Sequence, residues 1–384
     1  MDTQGRHNVA VVAGESSGDL LASRLLSGLR PQLPGARIHG IGGKHMLEYG
    51  FVSDYPMETL SVRGLFEVLR HYREIKAVQT SLIDQLLLER PDVFIGVDAP
   101  DFNFTVERKL KEAGIPTVHF IGPSIWAWRA GRIKNIIASV SHMLVIFPFE
   151  AEIYRAANIP VTYVGHPLAE LLPLEPDTLK ARQELGLPLD ATVVTIMPGS
   201  RLSEINYHTE AFIGAAKILA QRDPTIHFVV PMVGDRQRNA YIQRVIDAKL
   251  SDVPILLIDG RSHTAITAAN SVLVASGTAT LEVALLKKPM VIAYKQMWAT
   301  WQIMRRMGYQ PWVGLPNILA REFLVPELLQ DAATPIALAD AIWQQLHDDK
   351  LADKLKQRFL EMHHALLRDS AKESAQAVLQ IINK

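Results

Sequence analysis

Short runs of nearly uninterrupted apolar, β-branched residues, each followed by a polar turn and a helical pattern, recur along this chain and constrain its fold more than any other feature. The first series is NVAVVA (8–13), RIHGIG (37–42), DVFIGV (92–97), TVHFIG (117–122), HMLVIF (142–147) and VTYVG (161–165). A strand with one wet face alternates apolar and polar residues, whereas a strand apolar throughout needs cover on both faces, as in a parallel sheet between helices. A second series follows: TVVTIM (192–197), IHFVVP (226–231), PILLID (254–259), SVLVAS (271–276) and PMVIAY (289–294). The segment between them, 166–191, carries four prolines and reads as a linker plus a first helix. From Pro335 onward the pattern is only helical. Single cores seldom grow beyond roughly 250 residues, so a chain of 384 residues suits two. The expected fold is α/β: two Rossmann-like, doubly wound domains over 1–168 and 169–345. The helices of 346–384 then pack back on the first domain or on a second subunit.

Charge balance narrows the function. Lys+Arg 40 against Asp+Glu 40 gives no net field to draw nucleic acid, and the absence of cysteine excludes disulfides, thiolate metal sites and cysteine nucleophiles. The cytoplasm is the default compartment. No basic-plus-apolar leader precedes the first strand, and no apolar run reaches the roughly 18 residues of a membrane span, so the chain is expected to be soluble or peripheral. The 13 histidines show no H-E-x-x-H spacing, and no Asp-x-Asp pair follows a strand. A metal-bridged diphosphate is therefore not expected, and no cofactor is implied.

Ligands of open α/β sheets bind beyond the carboxyl ends of the strands, where helix amides are free. Four such places stand out. After the first strand, Gly14-Glu15-Ser16-Ser17-Gly18-Asp19 makes a tight turn into a helix. It is either a capped helix start or a substrate loop, and the negative Glu15 favours a neutral hydroxyl-bearing group over a phosphate. After 92–97 come Asp98 and Asp101. Asp98 sits where a general base is expected, while Asp101 lies close enough to the next helix to cap it. After 192–197, Pro198-Gly199-Ser200-Arg201 turns into a helix. A cation at a helix start is disfavoured by the dipole unless an anion compensates, which points to a phosphate held by Arg201 and the loop amides. After 271–276, Ser276, Gly277, Thr278, Ala279 and Thr280 open a helix that carries Glu282. The first group suits a second phosphate, and Glu282 a ribose diol.

Two further stretches are ambiguous. GPSIWAWRAGRIKN (122–135), with Trp128 and Arg129, is either an aromatic-basic anion surface or a packed loop. In SVRGLFEVLRHYREIKAV (61–78), Leu65, Phe66, Leu69, Tyr72 and Ile75 fall near helical spacing, with Arg63, Arg70, Arg73 and Lys76 between them. Such a helix either faces a core or lies on a bilayer holding acyl chains.

Taken together, VAGESSGDL, DVFIGVDAPDFN, GPSIWAWR, MPGSR, ASGTATLE and GLPNILAREFLVPELLQ (314–330) closely resemble the lipid-A-disaccharide synthase family. The resemblance covers nearly the whole chain in family order. It implies a GT-B fold, with two Rossmann-like domains facing a cleft, and a metal-independent, inverting glycosyltransferase of Gram-negative bacteria. The implied reaction joins UDP-2,3-diacylglucosamine to 2,3-diacylglucosamine 1-phosphate (lipid X), releasing UDP and the β-1,6-linked lipid A disaccharide 1-phosphate. Inversion calls for direct displacement, with Asp98 as candidate base, Glu15 as the alternative, and Arg201 stabilising the departing diphosphate. The resemblance also puts Asn317 of the LPN motif near the diphosphate or donor sugar. Ser16, Ser17, Trp128 and Arg129 are assigned to the acyl-sugar side. Because both substrates carry lipid tails, the enzyme is expected at the cytoplasmic face of the inner membrane, with a homodimer through the C-terminal helices as one arrangement.

Overall fold

The computed structural model describes residues 7–60, 65–126, 130–307 and 311–383. Arg63, Trp128 and Arg129 lie outside the described residues, and so do the side chains of Ser16, Leu65, Phe66, Leu69 and Arg70. The chain divides into two compact units, the first built from residues 1–170 and 366–384, the second from 171–365.

The first unit holds a seven-stranded sheet of β1 (Asn8–Ala13), β2 (Arg37–Ile41), β3 (Val52–Tyr55), β4 (Val93–Val97), β5 (Thr117–Phe120), β6 (His142–Val145) and β7 (Val161–Tyr163), in the order β3-β2-β1-β4-β5-β6-β7. The second holds six: β8 (Val193–Met197), β9 (His227–Met232), β10 (Ile255–Asp259), β11 (Ser271–Ala275), β12 (Met290–Tyr294) and β13 (Glu327–Leu329), in the order β10-β9-β8-β11-β12-β13. Every neighbouring pair is parallel. The all-apolar strands have the double cover their composition demands: β4 and β11 are buried along their whole length.

Two strands escape the sequence pattern. β3 (VSDY) and β13 (ELL) are short edge strands without a fully buried residue, so neither needs an apolar run. Each sheet reverses its strand order once, between β1 and β4 and between β8 and β11. A crevice opens at such a reversal because the flanking connections leave to opposite faces.

The C-terminal division differs from the expected boundary at 345. Helices Pro335–His347 and Asp349–Leu366 belong essentially to the second unit, and the chain returns to the first only at Leu366. The last helix, Ser370–Ile382, lies on helix Ser16–Leu29 of its own chain. That earlier helix buries Ala22, Leu25, Leu26 and Leu29 at helical spacing. The two backbones come so close that a Cβ on Gly28 would stand 2.2 Å from the Ala371 carbonyl oxygen, and the facing residues Ser370, Ser374, Ala375 and Ala377 are correspondingly small. Within the single chain the terminal helix is thus covered by its own first unit. Among the described residues no helix is long and apolar enough to cross a membrane.

Candidate active site

The four turns singled out in the sequence fall into two pairs, one at each strand-order reversal. Ala13 is in register with Val97, so Gly14-Glu15 and Asp98-Ala99 leave the first sheet side by side. Val274 is in register with Met197, so Pro198–Arg201 and Ser276–Thr278 leave the second sheet together. Sequence distance hides both pairings; parallel register creates them.

In the first unit, Gly14 is required by crowding, since a Cβ there would meet that of Ala99 at 2.9 Å. Asp98 and Ala99 both adopt left-handed backbone, with φ of 51° and 44°, a conformation costly for residues with a side chain and concentrated at functional sites. The turn is held by the Asn103 side-chain amide, which donates to the Asp98 carbonyl at 2.8 Å. Burial pushes the Asp98 carboxyl above its usual range, and the nearby negative Glu15 pushes in the same direction, against the Ala99 N–H and the His119 ring. Behind it lies a pair the sequence reading missed: His119 Nδ1 and Glu107 Oε1 stand 2.6 Å apart, both fully buried. Gly96 makes the room, because a Cβ there would overlap Glu107.

Two acidic residues of this region prove structural. Asp101 is not the helix cap: Pro100 takes the first helical position after Ala99, and the Asp101 side chain projects outward to Arg132 at 3.1 Å. Asp19 is buried and accepts the amides of Gly43, His45 and Met46, tying the turn after β2 to helix Ser16–Leu29. Ser17 is exposed.

In the second unit the paired loops border a pocket of about 500 Å³, lined by Gly199, Ser200, Arg201, Ser276–Ala279 and Glu282, with Pro231, Met232 and Val233 as an apolar wall. Two features correct the phosphate reading. The amides of Ser200 and Arg201 both donate to Glu204 Oε2, at 2.9 and 3.1 Å, and an Arg201 guanidinium nitrogen meets Glu204 Oε1 at 3.0 Å. The anion that offsets the cation at this helix start is therefore Glu204, at capping-box spacing, and these two amides are already taken. The Arg201 side chain nonetheless remains 80% exposed at the pocket. Thr280 is withdrawn as well, since it is buried and its hydroxyl donates to the Gly277 carbonyl at 2.8 Å. The Ser276 hydroxyl donates to Val313 at 3.1 Å and anchors the loop. Gly277, at φ 157°, and Thr278 are exposed, and a Cβ at Gly277 would meet nothing within 4 Å.

Two histidines hold this site in place, and no local pattern announced either. His208 is buried and donates from Nδ1 to the Pro198 carbonyl at 2.8 Å, while its Nε2 accepts the Lys295 N–H at 2.9 Å. Those partners demand the neutral ring, and burial lowers its pKa accordingly. His263 Nε2 lies 3.0 Å from Glu282 Oε2; this hydrogen bond raises the His263 pKa and orients one carboxylate oxygen of Glu282.

Asn317, which the resemblance put near the diphosphate or donor sugar, is not free to bind there. It is fully buried: its amide nitrogen donates to Val325 O and Glu327 Oε1, and its oxygen accepts the amides of Leu324 and Val325. All its donors and acceptors are used, so it pins the entry to β13 and has nothing left for a ligand. Asn317→Ala is expected to lower stability on the order of 3 kcal/mol, since it strands buried backbone groups. Chemical denaturation checks this, and unchanged stability with weakened UDP binding would return Asn317 to the ligand.

A family model described as lipid-A-disaccharide synthetase matches residues 9–382. The lipid-A-disaccharide synthase of Paraburkholderia phymatum is 52% identical over 375 residues, 97% of this chain and 96% of that protein. The same enzyme of Burkholderia pseudomallei is 53% identical over 376 residues, covering 98% and 96%. Among solved structures, a UDP-GlcNAc 2-epimerase from Neisseria meningitidis bound to UDP-GlcNAc superposes with a TM-score of 0.61 at 15% identity, covering 98% of this chain and 99% of that one. A glycosyltransferase from Rickettsia africae gives 0.59 at 12%, covering 99% and 98%. At such identities the structures speak for the fold alone, which is GT-B. With the family model spanning almost the entire sequence and relatives above half identity, the chain belongs to the lipid-A-disaccharide synthetase family, glycosyltransferases of lipid A biosynthesis.

Proposed function

We propose that the chain transfers the glucosaminyl group of UDP-2,3-diacylglucosamine to the 6-hydroxyl of 2,3-diacylglucosamine 1-phosphate, with inversion and without a metal, releasing UDP. The observation that carries this reading is the second unit's pocket, where an exposed cation, the open Gly277-Thr278 turn and Glu282 line one cavity beside an apolar wall. That set matches a nucleoside diphosphate. Arg201 takes charge from the departing diphosphate, the Gly277 and Thr278 amides donate to a phosphate oxygen, and Glu282, held by His263, accepts from the ribose.

In the first unit Asp98 takes the proton of the acceptor hydroxyl as that oxygen attacks the anomeric carbon. Inversion needs only one such base, and a carboxyl raised by burial is better matched to the task than an ordinary one. Incubating the protein with both acylated sugars and following products by mass spectrometry tests the reading. Disaccharide phosphate and UDP in equal amounts are expected, and an epimerised UDP-sugar alone would overturn it.

The same reading brings the enzyme to the cytoplasmic face of the inner membrane. Helix Leu65–Glu89 supports this through Tyr72, 57% exposed, and the exposed Arg73 and Lys76. Ile75 does not belong to that surface, because it packs against the core formed by Leu82, Leu86, Phe94 and Phe102. Replacing Phe66, Leu69 and Tyr72 together by Ser is expected to leave the melting temperature within a few degrees and to reduce co-sedimentation with vesicles. A loss of folding would place these residues in the core instead.

A further inference from the structure

A second amphipathic segment, on the other unit, is unexplained by the nucleotide pocket it adjoins. From Lys295 to Arg321 the chain contains no Asp or Glu, while Lys295, Arg305, Arg306 and Arg321 fall within it. Three of the six tryptophans, Trp298, Trp301 and Trp312, are concentrated here too. In the structure Met297 and Trp298 are 57% and 73% exposed, at the start of helix Trp298–Met307, and Arg306 is exposed near its end. A tryptophan with most of its surface in water is unusual for a residue that gains so much from burial.

The segment's origin is fixed close to the donor pocket. β12 ends at Tyr294, whose ring lies 5.8 Å from that of His208, and the next residue, Lys295, gives its N–H to His208 Nε2. His208 in turn holds the Pro198 carbonyl of the Arg201 loop. The helix therefore begins three residues after a point bound to the phosphate loop.

We propose that residues 296–307 form a membrane-contacting element of the nucleotide-binding unit, with Met297 and Trp298 entering the acyl boundary of an anionic bilayer and Arg306 meeting its headgroups. The proposal rests on the reading that the substrates are acylated. Tryptophan prefers the interface because its ring is apolar with one polar edge, and arginine adds attraction to anionic lipid. The absence of carboxylates over this stretch fits the same partner, since a carboxylate there would be repelled by the headgroups. Placed beside the donor pocket, such an element keeps the mouth of that pocket at the depth from which an acylated donor enters.

The chain has no cysteine, so a single one can carry a label. Trp298→Cys bearing an environment-sensitive fluorophore is mixed with vesicles of phosphatidylcholine containing one-third phosphatidylglycerol, in parallel with Ile246→Cys as a control at another exposed site of the same unit. A blue shift, quenched by spin-labelled lipid, is expected at position 298 and not at 246. Arg306→Glu is expected to weaken vesicle binding at least threefold at low salt while UDP affinity stays unchanged. Co-sedimentation without a response at 298 would overturn the proposal, as would an absence of vesicle binding. A shift at 298 that grows with protein concentration in the absence of lipid would overturn it in favour of self-association. UDP titration of the same samples keeps the outcomes separate: lost UDP binding counts against the donor-site reading, whereas a silent label with normal UDP binding counts against this proposal alone.

Discussion

Asp98→Asn is expected to lower kcat by a factor of about 10²–10⁴, the usual worth of a positioned general base, while UDP affinity stays near that of the wild type. The amide keeps the shape of the carboxyl but cannot take the proton. Stability should not fall with activity. A buried carboxyl whose pKa is raised on folding destabilises the folded state once it ionises, a penalty that sets in as pH rises from the ordinary carboxylate pKa of about 4 through the raised folded value. At neutral pH the Asn variant should therefore melt at the same temperature or higher. The pH profile adds a second reading. The acid limb of the wild type should lie above the ordinary carboxylate range, because the base form of Asp98 is lost as pH falls through its raised pKa. Glu15→Gln removes a negative neighbour and should move that limb to lower pH with turnover largely kept. If Glu15→Gln instead abolishes turnover and Asp98→Asn does not, the two carboxylates exchange roles.

Arg201→Ala is expected to reduce turnover about 10²- to 10³-fold, roughly 3–4 kcal/mol of transition-state stabilisation. Charge builds on the leaving diphosphate as the glycosidic bond breaks, so the loss should fall more on kcat than on the affinity for UDP-sugar. The structure adds a control. Because Arg201 shares Glu204 with two loop amides, Glu204→Gln preserves the shape of the cap but weakens its grip on the loop. A smaller loss is expected there, accompanied by a lower melting temperature. Equal losses in the two variants would mean that Arg201 acts only by holding the loop, and the phosphate would need another cation.

The two predictions differ in how far they rest on sequence. Asp98 directly follows an apolar run and Arg201 closes the turn after another, and the carboxyl end of a parallel strand is where ligand groups are presented. The same position after a strand picks out Gly14, Gly277 and Glu282 as candidates. Position after a strand does not reveal which polar side chains folding will satisfy internally. Thr280 follows a strand and Asn317 was placed by the family resemblance, yet the first is spent on a carbonyl three residues away and the second on a loop eight residues on. Asp101 lies just before FNFTVERKLKEAG, close enough to cap it, but the left-handed pair Asp98-Ala99 brings the chain into the helix at Pro100, two residues before an Asp101 cap would.

The strand series, the two cores and the all-parallel sheets follow from the pattern of the sequence, because an apolar run without alternation must be covered on both faces. The short edge strands β3 and β13 do not, since an edge is half solvated and accepts almost any residues. Sequence by itself determined which turns carry chemistry-bearing groups. Only the tertiary structure decided which of those turns meet, through the single reversal of strand order in each sheet, and which groups remain free after their buried neighbours are satisfied. Glu107 and His119, or His208 and Pro198, are brought together by packing between separate elements, and no periodicity within either element records the other.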